Sequence, residues 1–436
     1  MVSLSGNIQV KIYKDMNGYS FPVVVEDGCL PCCLHLNAYL NGNHNSPLSK
    51  AKSKQSPSFY TRKKYAYECK FLYCFFMVQG IDLVERVASG IFLSIEEIDS
   101  YIRTCKFYAD TEDDNENSAV VSLTDKRIRD AIHATSNSQP EVSAHTFRQR
   151  LIRLKAYIEF LYVCRHYDKA ETKLQINTDN KFNKFNLYIS AAISSSRKDN
   201  TITKDAFESA IASDKFLKLL DVIQESSPDN PFKSSKLRNQ IITQILIDTG
   251  VRVGAVLKLK VSDLVDDWDN PRFLLTRTPN DPTDTRRLPA ANKTKALSVS
   301  VSINLMKLIK LYIETIRQST LNTHEHDFIF VSEKGKTIGQ PMSYNAIHKV
   351  VKIFGDSVGI NLHPHLLRHK WNELFEDKAR EKGFSPDKIE DLRKYAMGWV
   401  EDSKMASVYN EFQLAVTVAE ISSKNQSQSV PALRGR

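Results

Sequence analysis

The first apolar runs of the chain alternate along two short stretches, NIQVKIYKD and SFPVVVED, and this predicts strands. A polar run, NGNHNSPLSKAKSKQSPS, follows and reads as a flexible arm or linker, so residues 1–57 form a small N-terminal element. From Ser58 the period becomes helical. SFYTRKKYAYECKFLYCFFMVQG is rich in aromatics and carries Arg62, Lys63 and Lys64 near its start. LSIEEIDSYIRTCKFY opens on Ser94 with Glu97 three residues later, the spacing of a capping box. After an acidic loop, DTEDDNENS, comes SAHTFRQRLIRLKAYIEFLYVCRHY. Its Phe147, Leu151, Leu154, Ile158 and Leu161 recur by four and three and share one face. Arg148, Arg150, Arg153 and Lys155 fall mainly on other faces, where they can offer cations to phosphates. These helices define a domain over residues 58–168, followed by a linker over 169–200.

A second domain is predicted over residues 201–422. TKDAFESAIAS and KFLKLLDVIQES read as helices, and SSKLRNQIITQILIDTG as a helix closed by Gly250. VRVGAVLKLKVSDLV reads as another helix. RFLLTRT and ALSVSVS read as strands joined by a long basic connection, PNDPTDTRRLPAANKTK. NEFQLAVTVAEISS reads as a C-terminal helix, and residues 423–436 as a disordered basic tail. The fold class is mainly α with a small β-sheet, α+β.

Composition adds little until charge is considered. The 436 residues carry a formal net charge of +9, which makes nucleic acid a plausible partner. No apolar run reaches the length of a membrane span, and the N-terminus lacks an apolar signal core, so a cytosolic protein is expected. The seven cysteines are an odd number without an export signal, which argues against a disulfide framework. CLPCCLH with His35 raises a metal site, but no second spaced pair follows, and the cysteines read as free or buried thiols.

Four scattered stretches hold the candidate chemistry. DTGVRVGAVLKLK places Arg252 just after a helix stop, where its planar fork can address two phosphate oxygens. NKTKALSVSVS places Lys293 at the start of a strand, as a proton donor to a leaving oxygen, with Lys295 as its competitor. HPHLLRHKWNELF puts His365 and Arg368 on one helical face, an imidazole and a guanidinium suited to non-bridging phosphate oxygens. MGWVEDSKMASVYNEF supplies the indole N–H of Trp399 and the phenol of Tyr409. A phenol titrates near pH 10 and needs cations or a proton acceptor to act as a nucleophile. Taken alone, Tyr409 is equally an aromatic on an amphipathic helix.

In this order, an arginine after TG, a hairpin KT, HLLRH, and GW followed by a tyrosine resemble the catalytic set of the tyrosine recombinase (phage integrase) family, and the likeness extends over residues 58–422. MGWVEDSKMASVY resembles integrases of bacterial mobile elements. The resemblance implies a helical core-binding domain and a catalytic domain, and a bacterial, nucleoid-associated protein. It implies that Arg252 and Arg368 clamp the scissile phosphate, Lys293 protonates the 5′-hydroxyl leaving group, and His365 assists proton transfer. Trp399 donates one N–H, and Tyr409 forms a 3′-phosphotyrosyl link. It implies double-stranded DNA as partner, a tetramer on two duplexes, accessory or partner proteins, and no cofactor. Residues 410–423 are expected to dock on a neighbouring subunit. A type IB topoisomerase and a non-catalytic DNA-binding accessory protein are the rival readings. Three features depart from the family: Ala255 stands where an acidic residue is frequent, the Trp399–Tyr409 spacing is one residue longer, and no arginine follows Lys293 in the hairpin.

Overall fold

The computed structural model describes residues 8–42, 57–107, 141–166, 172–196, 210–278, 281–292 and 294–399, with Val418 and Ser422. Two compact units divide the chain between Ile202 and Thr203. Among the described residues no helix is long and apolar enough to cross a membrane.

The first unit opens with strands β1 (Gln9–Lys14), β2 (Ser20–Glu26) and β3 (Leu30–Pro31). They form an antiparallel sheet in which Gln9 faces Val25 and Lys14 faces Ser20. Helix α1 (Leu34–Asn41) is tied to β2 through Asn37, whose side chain accepts from Val24 N at 2.8 Å and donates to Val24 O at 3.0 Å. Helices α2 (Phe59–Val78), α3 (Leu83–Ala88), α4 (Ile95–Thr104) and α5 (Ala144–His166) complete the hydrophobic body. Ile8, Val24, Leu36 and Leu40 share one core with Leu72, Phe75, Leu154 and Ile158, so the N-terminal strands pack into the helical layer. The capping box is formed: Glu97 N donates to Ser94 Oγ at 3.3 Å and Ser94 N to Glu97 Oε2 at 2.7 Å.

Two expectations change in this unit. Residues 173–195, read as linker, form helix α6 (Lys173–Ser195). Phe182, Phe185 and Ile189 are the reason: three apolar residues at helical spacing in a polar run, all buried in the same core. The Phe182 ring stacks on Tyr162 at 3.8 Å between centroids.

The second change concerns the basic side chains of α5. Leu151, Leu154, Ile158 and Leu161 are buried as the spacing predicts, but so is Arg153, at 3% exposure. Its Nε donates to Glu68 Oε2 at 2.9 Å, and its guanidinium lies 3.3 Å from the Tyr65 ring centre. Arg150 donates to the carbonyls of Cys105 and Phe107 at 3.0 and 2.7 Å and covers the Phe71 ring at 3.9 Å. Both arginines fasten elements together; the burial of Arg153 corrects its assignment as a phosphate contact, whereas Arg150 is half-buried. Arg62 is half-buried, and its guanidinium approaches Ser20 O at 3.4 Å. Lys63 is half-buried, Lys64 is exposed with its ammonium 3.1 Å from His145 Nε2, and Arg148 is exposed. Of the candidate DNA contacts, Lys64 and Arg148 therefore face solvent most openly.

The second unit packs helices around a small sheet. Its helices are α7 (Ser213–Val222), α8 (Lys236–Thr249), α9 (Val253–Lys258), α10 (Ile303–Tyr312), α11 (Tyr344–Ser357), α12 (Pro364–Glu381) and α13 (Pro386–Met397). Strands β4 (Leu264–Val265), β5 (Arg272–Leu275) and β6 (Leu297–Ser300) are antiparallel, with Leu264 facing Phe273 and Phe273 facing Val299. Ile241, Ile245, Phe273, Ile309, Ile347, Val351 and Phe354 are central to the core. α9 is shorter than the predicted VRVGAVLKLKVSDLV helix. After Lys258 the backbone turns extended, because Val261 N donates to Asp327 O and Ile329 N donates to Leu259 O, both at 2.9 Å. Residues 203–209 of the predicted helix TKDAFESAIAS lie outside the described residues and 210–212 are not helical; the acidic loop and the tail over 423–436 also lie outside the described residues.

Removing one partner of a buried ion pair costs about 3–5 kcal/mol, whereas exposed substitutions change stability by about 0.5 kcal/mol or less. Arg153→Ala is therefore expected to lower the denaturant midpoint sharply while Arg148→Ala leaves it unchanged; equal midpoints for the two variants would refute the structural assignment of Arg153.

Candidate phosphate site of the second unit

Helix α8 ends at Gly250, whose φ of +61° is the left-handed conformation that closes a helix. The turn exposes the Gly250 carbonyl, and Arg368 of α12 donates to it at 2.6 Å. A side chain at 250 would also collide with the indole of Trp371, 2.6 Å from an added Cβ. Trp371 in turn donates from Nε1 to Asp248 O at 2.9 Å, so the end of α8 is seated on α12 at two places. Two residues beyond Gly250, Arg252 is the N-cap of α9 in extended conformation and half-buried.

α12 starts at His363, whose Nδ1 accepts from Leu366 N at 3.2 Å, followed by Pro364 in the first turn. This fixes the helical phase that puts His365 and Arg368 on one face. Arg368 is 2% exposed, whereas His365 is open to solvent. The guanidinium of Arg368 lies 5.9 Å from the Trp399 ring centre. Trp399, at 7% exposure, follows α13 through Gly398, another left-handed residue with φ +61°.

The predicted hairpin meets the same place from the other side. Gly398 O accepts from Lys295 N at 3.3 Å, and a Cβ on Gly398 would stand 3.4 Å from Thr294 Cβ. Ala291 O lies 2.0 Å from where a Cβ on Gly254 would be, so glycine is required for this segment to rest on α9. Asn292 is buried and accepts from Thr294 N at 3.2 Å. The Arg368 guanidinium thus stands between Gly250 O and the Trp399 ring, His365 shares its helix, Arg252 lies two residues beyond Gly250, and the residues on either side of position 293 are packed against α9 and the end of α13. The Lys295 side chain is exposed. Lys293, Tyr409 and nearly all of the predicted C-terminal helix lie outside the described residues.

Residues 210–413 match the model of the phage integrase family. The matched stretch lies wholly within the second unit. Transposase A from transposon Tn554 of Staphylococcus aureus is 30% identical over 132 residues, which cover 30% of this chain and 34% of the transposase. Tyrosine recombinase XerA of Saccharolobus solfataricus is 28% identical over 160 residues, 37% of this chain and 43% of the relative. The chain therefore spans about a third to less than half the length of these curated relatives. Among solved structures, XerH site-specific recombinase bound to a palindromic difH substrate gives a TM-score of 0.44 at 15% identity, covering 89% of this chain and 95% of that one.

Electrostatics within the second unit shift the imidazoles toward the neutral form. Although part of the His365 side chain faces solvent, desolvation of its ring lowers its pKa, and the charges of Arg368, His363 and Arg252 lower it further. His369, whose ring stands 4.7 Å from that of His365, is pushed down to about 4 by burial and then by His365, His363 and Arg368. Among the described residues no group of three or more His, Cys, Asp or Glu side chains is arranged to hold a metal ion.

Three features of the second unit are absent from the sequence reading. Gly254 and Trp371 act through close contact, which has no sequence periodicity. Glu376 of α12 is paired with Arg393 of α13 and with Arg380, at 2.5 Å for the latter, and so fastens the helix that presents Trp399. The long basic connection is anchored rather than loose: Asp281, Asp284, Arg286 and Asn292 are all buried. A mixture of acidic and basic residues in a connection normally reads as a solvated loop, and that is how these were hidden.

The shift of His369 has a consequence for stability. Its folded pKa is about 4, below the ordinary 6.5, so the unfolded chain binds more protons between those values. Stability is full above pH 6.5 and falls as the pH drops toward 4. Denaturant midpoints measured from pH 7 to 4.5 should decline, and the decline should be shallower in His369→Gln; an unchanged slope would exclude His369 as a source.

Proposed function

We propose that this chain is a site-specific DNA recombinase that cuts and rejoins strands through a 3′-phosphotyrosyl intermediate on Tyr409. The observation that carries the reading is the seating of Arg368. A buried guanidinium is fixed to Gly250 O and flanked by Trp399, and its charge and that of Arg252 both act on His365. Such a cluster suits a phosphate in which negative charge spreads over non-bridging oxygens, and phosphoryl transfer depends mostly on positioning and charge neutralisation. The family match over residues 210–413 and the likeness to a transposase and a tyrosine recombinase support the same reading.

In the proposed reaction the Tyr409 oxygen attacks phosphorus in line, forming the P–O(Tyr) bond as the P–O5′ bond breaks. The phenol proton passes to a base, for which the neutral imidazole of His365 is suited. Lys293, or Lys295 in its place, protonates the departing 5′-oxygen. Arg252, Arg368 and the Trp399 N–H hold the non-bridging oxygens. The phosphotyrosyl ester conserves the bond energy, so a new 5′-hydroxyl can reverse the step on another strand. The partner is double-stranded DNA at a mobile-element site, and exchange between two duplexes calls for a tetramer, with residues 410–423 as its subunit contact. Accessory or partner proteins, and a place on the bacterial nucleoid, belong to the same proposal.

A suicide duplex that loses a short 5′-hydroxyl strand tests this. The wild-type chain is expected to accumulate a covalent adduct, and Tyr409→Phe to bind the duplex without forming one. Arg368→Ala should slow adduct formation by about 10²–10³-fold, the usual effect of losing a preorganised charge donor. An adduct from Tyr409→Phe would assign the nucleophile elsewhere, and supercoil relaxation without exchange between two sites would favour a topoisomerase.

A further inference from the structure

Arg252 is held by a very short helix. α9 has six residues, too few to be stable alone, and Ala255 stands where the family it resembles often carries an acid. Ala255 is buried in the hydrophobic core and has no side-chain polar group with which to brace the helix.

The bracing comes from the long connection before β6. Arg286 Nε and one terminal nitrogen grip both oxygens of Asp284, at 2.8 and 2.7 Å. The other terminal nitrogen donates to Leu257 O in the last turn of α9 at 3.1 Å, and to Met342 O, just before α11, at 2.9 Å. The guanidinium also lies 4.7 Å from the Phe328 ring centre. Asp284 accepts from Arg286 N at 3.1 Å and from Ala290 N at 2.9 Å. Ala290 leads directly to Ala291, whose carbonyl is pressed on Gly254 in the first turn of α9. One ion pair therefore holds α9 at both ends: the last turn directly, the first turn through Ala291. Asp284 is 1% exposed and Arg286 9%.

We propose that Asp284 and Arg286 are a positioning pair for the reaction, acting through α9 to fix Arg252 against the scissile phosphate. The role rests on the recombinase reading above. A buried ion pair is weak as a source of stability and useful where it specifies geometry. The planar fork is what lets Arg286 serve a carboxylate and two carbonyls at once, so a lysine of equal charge does not replace it.

The test uses Arg286→Lys in the full chain, with Asp284→Asn as the second variant should the first fail to fold. In Arg286→Lys, amide exchange of Ala255–Leu257 should quicken by about tenfold or more while that of α10 stays unchanged. Adduct formation on the suicide duplex should slow by about tenfold or more with DNA affinity preserved. In an Arg252→Lys background the same substitution should cost less than about threefold, because a residue acting through Arg252 has little left to affect. Unchanged exchange in α9, or equal losses in both backgrounds, would overturn the proposal. A wild-type chain that forms no adduct on any duplex would sink the recombinase reading, while the exchange measurement still decides whether the pair holds α9.

Discussion

The second unit is organised around a hydrogen bond from a buried guanidinium to a helix-terminal carbonyl. Arg368 on α12 reaches Gly250 O at the end of α8. The bond forms only because Gly250 takes a left-handed conformation and lacks a side chain, leaving room for Trp371 beneath it. Removing an arginine from water without a partner is costly, and this carbonyl supplies part of what water did. The bond also sets the direction of the guanidinium. From that fixed point the chain proceeds two residues to Arg252, so the spacing between the two arginines is built into one helix ending.

The remaining groups are brought in by other long-range pairings. Glu376 with Arg393 and Arg380 sets α13 on α12, and α13 ends where Trp399 begins. Asp284 and Arg286 fasten the connection that leads to β6. In both cases charges are buried so that a neutral or aromatic neighbour falls in the right place. The second unit therefore has a charged interior behind His365 and His369, whose pKa values are lowered.

Much of this architecture was legible before the structure. The buried face of α5, the capping box at Ser94, the closure of α8 at Gly250 and the pairing of His365 with Arg368 all follow from local spacing. What spacing does not carry is partner identity. Arg150 and Arg153 have the same periodicity as solvent-facing cations; only the location of Glu68 and Tyr65 makes Arg153 internal, and two carbonyls beyond α4 hold the half-buried Arg150. α6 was hidden because its three apolar residues are diluted by polar ones, although their spacing is helical. Asp284 and Arg286, two residues apart in a connection rich in proline and charge, had no local mark of burial.

The hydrogen bond from Lys295 N to Gly398 O links a strand margin to a helix ending. The backbone that leaves Trp399 toward the C-terminus departs from that junction. Gly398 is therefore shared by the approach to β6 and the end of α13, so a change in its backbone disturbs the strand margin and the seat of the indole together.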